Sequence, residues 1–137
     1  MSHASWGLQK ALYAALSAAP ALQAALGDPP RIYDDVPAGA RFPYLTLGEM
    51  QEREAGAGAT EASEILITLH LWSRGGGRRE AREILSVLRA LMEGATLPME
   101  GQRLANLTFQ WSDALLESDG ETYHGLARYR ALIERNP

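Results

Sequence analysis

The sequence predicts an α+β fold, in which a mostly antiparallel sheet of four to five strands carries two helices packed on one face. Three observations lead to this prediction. The stretch EILITLHLWSRGGGRREAREILSVLRALM changes from a two-residue period to a helical period at three glycines. A helical pattern precedes this stretch, and two more alternating segments follow it around an Asp-Gly turn signal. The 137 residues, 46% of them hydrophobic, suit a single domain over residues 1–137.

The N-terminal segment has the period of an amphipathic helix from Ser5 to Ala19. Ser2 or Ser5 is the predicted cap at its start. Pro20 cannot continue the helix smoothly, because it lacks an amide hydrogen. We therefore expect one more helical turn up to Leu26, ended by a glycine and a stiff Asp-Pro-Pro connector.

Two extended segments follow the connector. Residues 31–33 predict a short strand, and residues 42–49, FPYLTLGE, predict a longer one. Pro43 indicates that this longer strand begins there or lies at an edge of the sheet. Residues 50–63 form a polar, Gly/Ala-rich excursion that can bury little apolar surface, so we expect a mobile loop at about these positions.

The central strand, residues 65–72, alternates without interruption and leads into a helix. One predicted face carries Ile65, Ile67, Leu69 and Leu71, and the other carries Leu66, Thr68, His70 and Trp72. After the glycines, a helical stripe consists of Ala81, Ile84, Leu85, Leu88, Leu91 and Met92. Gly94 is the predicted stop of this helix.

The C-terminal third predicts two more strands, residues 104–111 and 123–133, as an antiparallel pair around the turn signal at Asp119. The predicted apolar face of the first carries Ala105, Leu107, Phe109 and Trp111, and that of the second carries Ala127, Tyr129, Ala131 and Ile133. The opposite sheet face mixes apolar and polar side chains: Leu66, Thr68, His70, Trp72, Asn106, Thr108, Gln110, Leu126, Arg128, Arg130 and Leu132. Such a face is too apolar for bare solvent, so we expect a neighbouring subunit to cover part of it.

Composition and charge exclude several classes of protein. The formal net charge is −4, which argues against nucleic-acid binding as the main task. Residues 49–64 hold five Glu against one Arg, which also gives −4. Cysteine is absent, which excludes disulfides and thiolate metal sites. The sequence contains no apolar run of membrane-spanning length and no secretion-signal pattern, so we expect synthesis in the cytoplasm and no membrane contact.

The three glycines before the second helix raise the question of a phosphate loop. Such a loop needs a Lys and a Ser or Thr for the phosphates and magnesium, whereas Arg78 and Arg79 stand at these positions. We therefore interpret the glycines as a flexible turn with exposed arginine side chains.

No motif in the chain indicates catalysis, a metal site or a cofactor. The three histidines are not at metal-ligand spacing, and His70 is interpreted as a packed or interface residue. The acidic groups at Asp34 and around Asp119 lie in predicted turns, where Asp bonds its own backbone. We predict that the chain is not an enzyme, with a small ligand-binding or enzymatic α+β domain as the less favoured alternative.

The order of the elements resembles the tail-completion or tail-terminator family of small phage proteins, found in prophages and in alphaproteobacterial gene transfer agents. The resemblance covers nearly the whole chain and is most specific at FPYLTLGE, at LHLWSRGGGRREA and in the ending SDGETYHGLARYRAL. It implies a structural virion protein without a cofactor. It further implies a ring, usually a hexamer, at the head-proximal end of a tail tube, which ends tube growth and docks to the head–neck connector while DNA passes through its hole.

This reading assigns residues to two surfaces. The candidate subunit or partner interface consists of His70, Trp72, Arg74, Arg78, Arg79, Arg128 and Arg130. The candidate loop toward the tube or the lumen carries Glu52, Arg53, Glu54 and Glu61, whose negative charge would repel DNA phosphate. A head-closure protein of the neck is the main alternative function.

Overall fold

The computed structural model describes residues 4–56, 58–59, 61–93 and 95–135. The predicted cap at Ser2, the terminal His3 and the predicted helix stop at Gly94 lie outside these ranges. Within them the chain forms three helices and six strands. In chain order they are α1 Ala4–Ser17, α2 Pro20–Leu26, β1 Ile32–Tyr33, β2 Tyr44–Glu54, β3 Ala62–Arg74, α3 Gly77–Met92, β4 Pro98–Met99, β5 Gln102–Leu116 and β6 Thr122–Arg135.

The six strands form one sheet in the order β1-β2-β3-β6-β5-β4. Every neighbouring pair is antiparallel except β1 and β2, which run parallel. The α+β class is confirmed, but the predicted four to five strands and two helices differ from the observed six and three. The additional elements are short: β4 has two residues, and α2 is a seven-residue helix. α2 begins at Pro20, which cannot continue α1 because it lacks an amide hydrogen.

The hydrophobic core lies between the helices and one face of the sheet. The predicted inward residues of β3 are completely buried, and Leu88 and Met92 of α3 are at most 1% exposed. Residues of α1 and α2 complete the core, including Leu8, Leu12 and Leu22. Amphipathic periodicity therefore identified the correct face of the central strand and of α3.

The predicted polar excursion at residues 50–63 is wrong for its two ends. β2 continues to Glu54 and β3 begins at Ala62, with Met50 opposite Ile67 and Glu54 opposite Ser63. The pairing persists because polar side chains bond across the two strands: Arg53 pairs with Glu64, and the Ser63 hydroxyl donates to Glu52. These cross-strand contacts outweigh weak strand propensity. The connection is reduced to residues 55–61.

The predicted face of Trp111 is also wrong. A bulge between Phe109 and Trp111 adds one residue to β5, so Phe109 pairs with Tyr129 on the core side while Trp111 pairs with Arg128. An inserted residue reverses the side on which all later side chains of a strand point. Trp111 consequently lies on the face opposite the helices and is 42% exposed.

The glycines between β3 and α3 form a tight joint. Gly75 and Gly77 have φ angles of 84° and 61°, in the left-handed region that favours glycine. The Ser73 hydroxyl donates to the carboxylate of Glu80 in the first turn of α3, which fixes the helix start against the end of the strand. This geometry supports the interpretation of the glycines as a turn.

Candidate interface on the open face of the sheet

The sheet has a second face that the helices do not contact, which we call the open face. It consists of the alternate residues of β2, β3, β5 and β6 whose neighbours point into the core. Its members include Tyr44, Thr46, Glu64, Leu66, Thr68, His70, Trp72, Trp111, Leu115, His124, Leu126, Arg128, Arg130 and Leu132. Five of the seven predicted interface residues are on these strands: His70, Trp72, Arg74, Arg128 and Arg130.

A carboxylate held by two arginines occupies one end of the open face. Glu64 is 6% exposed and forms ion pairs with Arg130 of β6 and, at 2.7 Å, with Arg53 of β2. The hydrogen bond from Arg130 is the main cause that lowers the pKa of Glu64, with Arg53 contributing. Because a buried charge is costly unless it is paired, the two arginines compensate Glu64 for the hydration that it loses on folding.

The middle of the open face joins an arginine to an aromatic ring. The Arg128 guanidinium donates to the Thr68 hydroxyl at 3.2 Å and lies 5.6 Å from the centre of the Trp111 ring. Thr68 is only 3% exposed, so this row of side chains is ordered across three strands. Trp111 and Leu115, at 42% and 46% exposure, leave an apolar surface beside the row.

A chain of four titratable side chains crosses the other end of the open face. Glu49 Oε1 lies 2.8 Å from His70 Nε2, His70 Nδ1 lies 2.6 Å from His124 Nε2, and His124 Nδ1 lies 2.8 Å from Glu117 Oε1. Sequence spacing gave no sign of this chain, because 54 residues separate the histidines. The strand register brings the two histidines together. Trp72 of β3 lies directly opposite His124 of β6, and His70 lies two residues before Trp72 on the same face of β3.

The arginines around the start of α3 have different surroundings. Arg74 donates to the Thr122 hydroxyl at 2.9 Å and lies 4.3 Å from the centre of the Phe42 ring. Arg79 pairs with Glu83 one helical turn away. Arg78 lies 5.6 Å from the Tyr123 ring centre and has no carboxylate partner among residues 4–56, 58–59, 61–93 and 95–135.

The predicted tube or lumen residues belong to the end of the β2–β3 hairpin. Glu52 accepts a hydrogen bond from Ser63 at 2.9 Å, and Glu61 pairs with Arg135 of β6 at 2.9 Å. Arg53 pairs with Glu64. The Glu54 carboxylate accepts from the Gly56 amide at 2.6 Å. Of the three predicted glutamates, Glu61 is therefore matched by an arginine from another strand, whereas Glu52 and Glu54 accept hydrogen bonds from uncharged groups.

The turn between β5 and β6 is fixed by Asp119, as its Asp-Gly pattern predicts. Its carboxylate accepts from the Thr122 hydroxyl at 2.7 Å and from the backbone amides of Thr122 and Glu121. These hydrogen bonds, led by that of the Thr122 side chain, lower the pKa of Asp119 to about 2.

The described residues contain no group of three His, Cys, Asp or Glu side chains arranged to hold a metal ion. In the same part of the chain, every helix is too short or too polar to cross a lipid bilayer. The open face thus offers ordered polar pairs and exposed aromatic surface, which are typical of protein–protein contacts.

A family model described as "Tail completion protein gp17" matches residues 10–134. The chain belongs to this family of phage tail proteins. A curated member, the tail completion protein gp17 of Bacillus phage SPP1, is 24% identical over 95 residues, which cover 69% of this chain and 70% of that protein. The predicted resemblance is confirmed, and with it a structural role in a phage-type tail.

Two solved structures share the fold. A chain in the virion of a native gene transfer agent particle superposes with a TM-score of 0.87 at 24% identity, covering 97% of this chain and 99% of that chain. The bacteriophage SPP1 gp17 protein superposes with a TM-score of 0.61 at 21% identity, covering 95% and 91%. The particle that contains the first of these chains agrees with the predicted virion or virion-like location.

Proposed function

We propose that this chain is a structural virion protein that forms a ring at the head-proximal end of a phage-type tail. In this position it ends growth of the tail tube and joins the tail to the head–neck connector, while DNA passes through the ring without specific binding. The observation that carries the proposal is the family match over residues 10–134. We assign no catalytic activity and no cofactor to the chain.

A closed ring needs two different surfaces on each copy that fit one another, because its contacts are head-to-tail. The open face supplies one such surface in this proposal. Trp111 and Leu115 would lose their exposed apolar area there, and the ordered Arg128 would form its polar neighbour. Aromatic and arginine side chains are the residue types that contribute most to such contacts.

The start of α3 supplies the second surface. Arg78 is exposed and without a carboxylate partner in the described part of the chain, next to a helix start whose dipole does not favour positive charge. This arrangement supports pairing with an acidic group of the next copy. Reversal of its charge in Arg78→Glu should then weaken assembly more than folding. Arg79→Glu is the matched comparison, because Arg79 already has Glu83 as a partner.

The end of the β2–β3 hairpin is our candidate for contact with the tail tube or the lumen. Glu52 and Glu54 lie on exposed positions of β2, whereas Glu61 is paired with Arg135. Repulsion of DNA would therefore depend mainly on Glu52 and Glu54. Removal of residues 52–61 would cut into a paired strand, so the cleaner variant shortens only residues 56–59.

Electron microscopy of the purified protein, alone and with purified tail tubes, tests the proposed function. We expect rings that cap one end of each tube. Binding to portal complexes and not to tubes would support the head-closure function in its place. Absence of rings both in solution and on tubes would contradict the proposal.

The shortened hairpin tests the proposed contact with the tail tube separately. We expect the variant that lacks residues 56–59 to keep its melting temperature within a few degrees of the wild-type value and to lose tail joining. Normal infectious or transducing particles from this variant would show that the hairpin tip does not contact the tube.

A further inference from the structure

The four side chains Glu49, His70, His124 and Glu117 form three consecutive contacts of hydrogen-bond length on the open face. The contact between the two imidazoles is the shortest, at 2.6 Å, and each outer contact is 2.8 Å. Both histidine side chains are nearly enclosed, at 13% and 14% exposure. Three contacts of this length between nitrogen and oxygen atoms each require one hydrogen.

Three hydrogen bonds among these four side chains need one more proton than two neutral histidines and two ionised carboxylates supply. A neutral imidazole carries one N–H and an ionised carboxylate carries none, so two neutral histidines and two carboxylates bring two hydrogens for three contacts. With only two, one pair of lone pairs would face each other at short distance. The observed geometry therefore corresponds to a form with a third proton and a net charge of −1.

We propose that Glu49, His70, His124 and Glu117 form one proton-binding site, in which a third proton closes the chain and its loss releases Glu49. Glu49 is the end that opens, because its side chain is 66% exposed whereas that of Glu117 is 38% exposed. The remaining two protons then bridge His70 to His124 and His124 to Glu117. The property belongs to the folded chain itself and does not depend on ring assembly.

The surrounding backbone is shaped to hold His70 in this position. The register of β2 against β3 shifts between Leu47 and Met50, and this irregularity contains Gly48 and Glu49. A Cβ atom on Gly48 would lie 2.5 Å from His70 Cδ2 and 2.5 Å from the Thr68 carbonyl oxygen. Only glycine therefore leaves room for the imidazole beside the strand. On the other side, the Trp72 ring stacks on His124 with centres 3.8 Å apart.

Few other charges face the two rings. Asp34, from the loop after β1, lines the same groove as Glu49 and Trp72. The Arg74 side chain contacts Phe42 and Thr122, and that of Arg128 contacts Thr68 and Trp111. Neither arginine forms an ion pair with Glu49 or Glu117. On release, Glu49 would join Asp34 and make this groove more acidic.

A metal ion between the rings fits the geometry less well than a proton. Two nitrogens bound to one zinc ion at 2.0–2.1 Å in tetrahedral geometry lie roughly 3.3 Å apart. The observed nitrogens are 2.6 Å apart.

Burial lowers the pKa of His124, opposed by its hydrogen bond to Glu117, so we expect the third proton to bind on the acidic side of the usual histidine value of about 6.5.

Nitrogen-15 NMR of the imidazole rings across about pH 4.5 to 8.5 tests the proposal. His3 is first replaced by Gln, so that only His70 and His124 report. We expect both rings to shift together in one transition that takes up a single proton. In His124→Gln the transition of His70 should move and become that of a single histidine. In Glu49→Gln the shared transition should move to lower pH, because a negative partner is lost.

Glu83→Gln is the matched control, since Glu83 is an exposed carboxylate on α3 that pairs with Arg79 and not with the histidines. It should leave both ring signals unchanged. Two independent transitions, with that of His70 unaffected by His124→Gln, would overturn the proposal. It would also be overturned if one equivalent of zinc were needed to couple the two rings.

Discussion

The two faces of the sheet differ in what holds their side chains in place. On the covered face, Leu69 of β3 and Leu88 of α3 are completely buried in an apolar core. On the open face, the ordered residues are polar: Glu64 lies between two arginines, and Arg128 links Thr68 to Trp111. Burial of apolar area is sufficient to explain the first arrangement. Burial of apolar area does not explain the ordered polar side chains of the open face.

The contrast separates stability from assembly in this protein. Exposed ion pairs contribute little net free energy, and a buried carboxylate such as Glu64 must lose its hydration before it pairs, so the open-face network is not the main source of stability. It does keep side chains in fixed positions next to exposed apolar area. Fixed positions reduce the entropy that ordering costs when a partner binds. We therefore assign stability to the covered face and partner binding to the open face.

Matched leucine truncations on the two faces should give the largest difference. Leu69→Ala removes a fully buried side chain and should lower the free energy of unfolding by about 2–5 kcal/mol. Leu115→Ala removes a side chain that is 46% exposed and should lower it by less than about 0.5 kcal/mol. Denaturant unfolding of both variants measures the difference. Equal losses of stability would remove the distinction between the faces.

Stability in acid should depend on the hydrogen-bonded carboxylate of Asp119. The folded pKa of Asp119 is lowered to about 2, below its ordinary value of 3.8. Its stabilising contribution is therefore complete above about pH 4 and is lost as the pH falls toward about 2. In Asp119→Asn, thermal unfolding should depend less on pH over this interval than in the wild type. Glu83→Gln, at an exposed ion pair within one helix, serves as the control. The same slope in wild type and Asp119→Asn would contradict this role.

The periodic segments of the sequence predicted the core, and the features that failed depend on pairing between distant strands. The alternation of residues 65–72 and the stripe on α3 identified the buried residues, because amphipathic spacing is local. The reversal of Trp111 at a bulge and the extension of β2 to Glu54 depend on what the partner strand offers. The histidine chain needs the register of β3 against β6, which no single stretch of sequence contains.

A smaller pH effect should come from the histidine chain. Burial lowers the folded pKa of His124, so the unfolded chain binds this proton more tightly than the folded one. The resulting contribution to stability is complete above the unfolded value of about 6.5 and falls as the pH drops below it. His124→Gln should therefore reduce the loss of melting temperature between about pH 7 and pH 5. An unchanged or steeper loss in this variant would argue that His124 is not held with a lowered pKa.

The smallest effect concerns a polar atom on the covered face. The Tyr129 hydroxyl is buried and has no hydrogen-bond partner within the described part of the chain, and burial raises its pKa to about 12. An unsatisfied buried hydroxyl destabilises a fold by about 1–3 kcal/mol at most. Tyr129→Phe should thus be neutral or should raise the free energy of unfolding by up to about 1 kcal/mol. A clear loss of stability would indicate that the hydroxyl has a partner, such as a buried water.

The central claim is that the open face becomes buried in the assembled tail, whereas the outer surface of α1 stays accessible. Two exposed tryptophans report on the two sides: Trp111 on the open face, at 42% exposure, and Trp6 on α1, at 55%. Hydroxyl-radical footprinting with mass spectrometry, on the free protein and on protein bound to tail tubes, measures the oxidation of each. The account predicts that binding protects Trp111 and leaves Trp6 as reactive as before. Unchanged oxidation of Trp111, or protection of Trp6 alone, would contradict it.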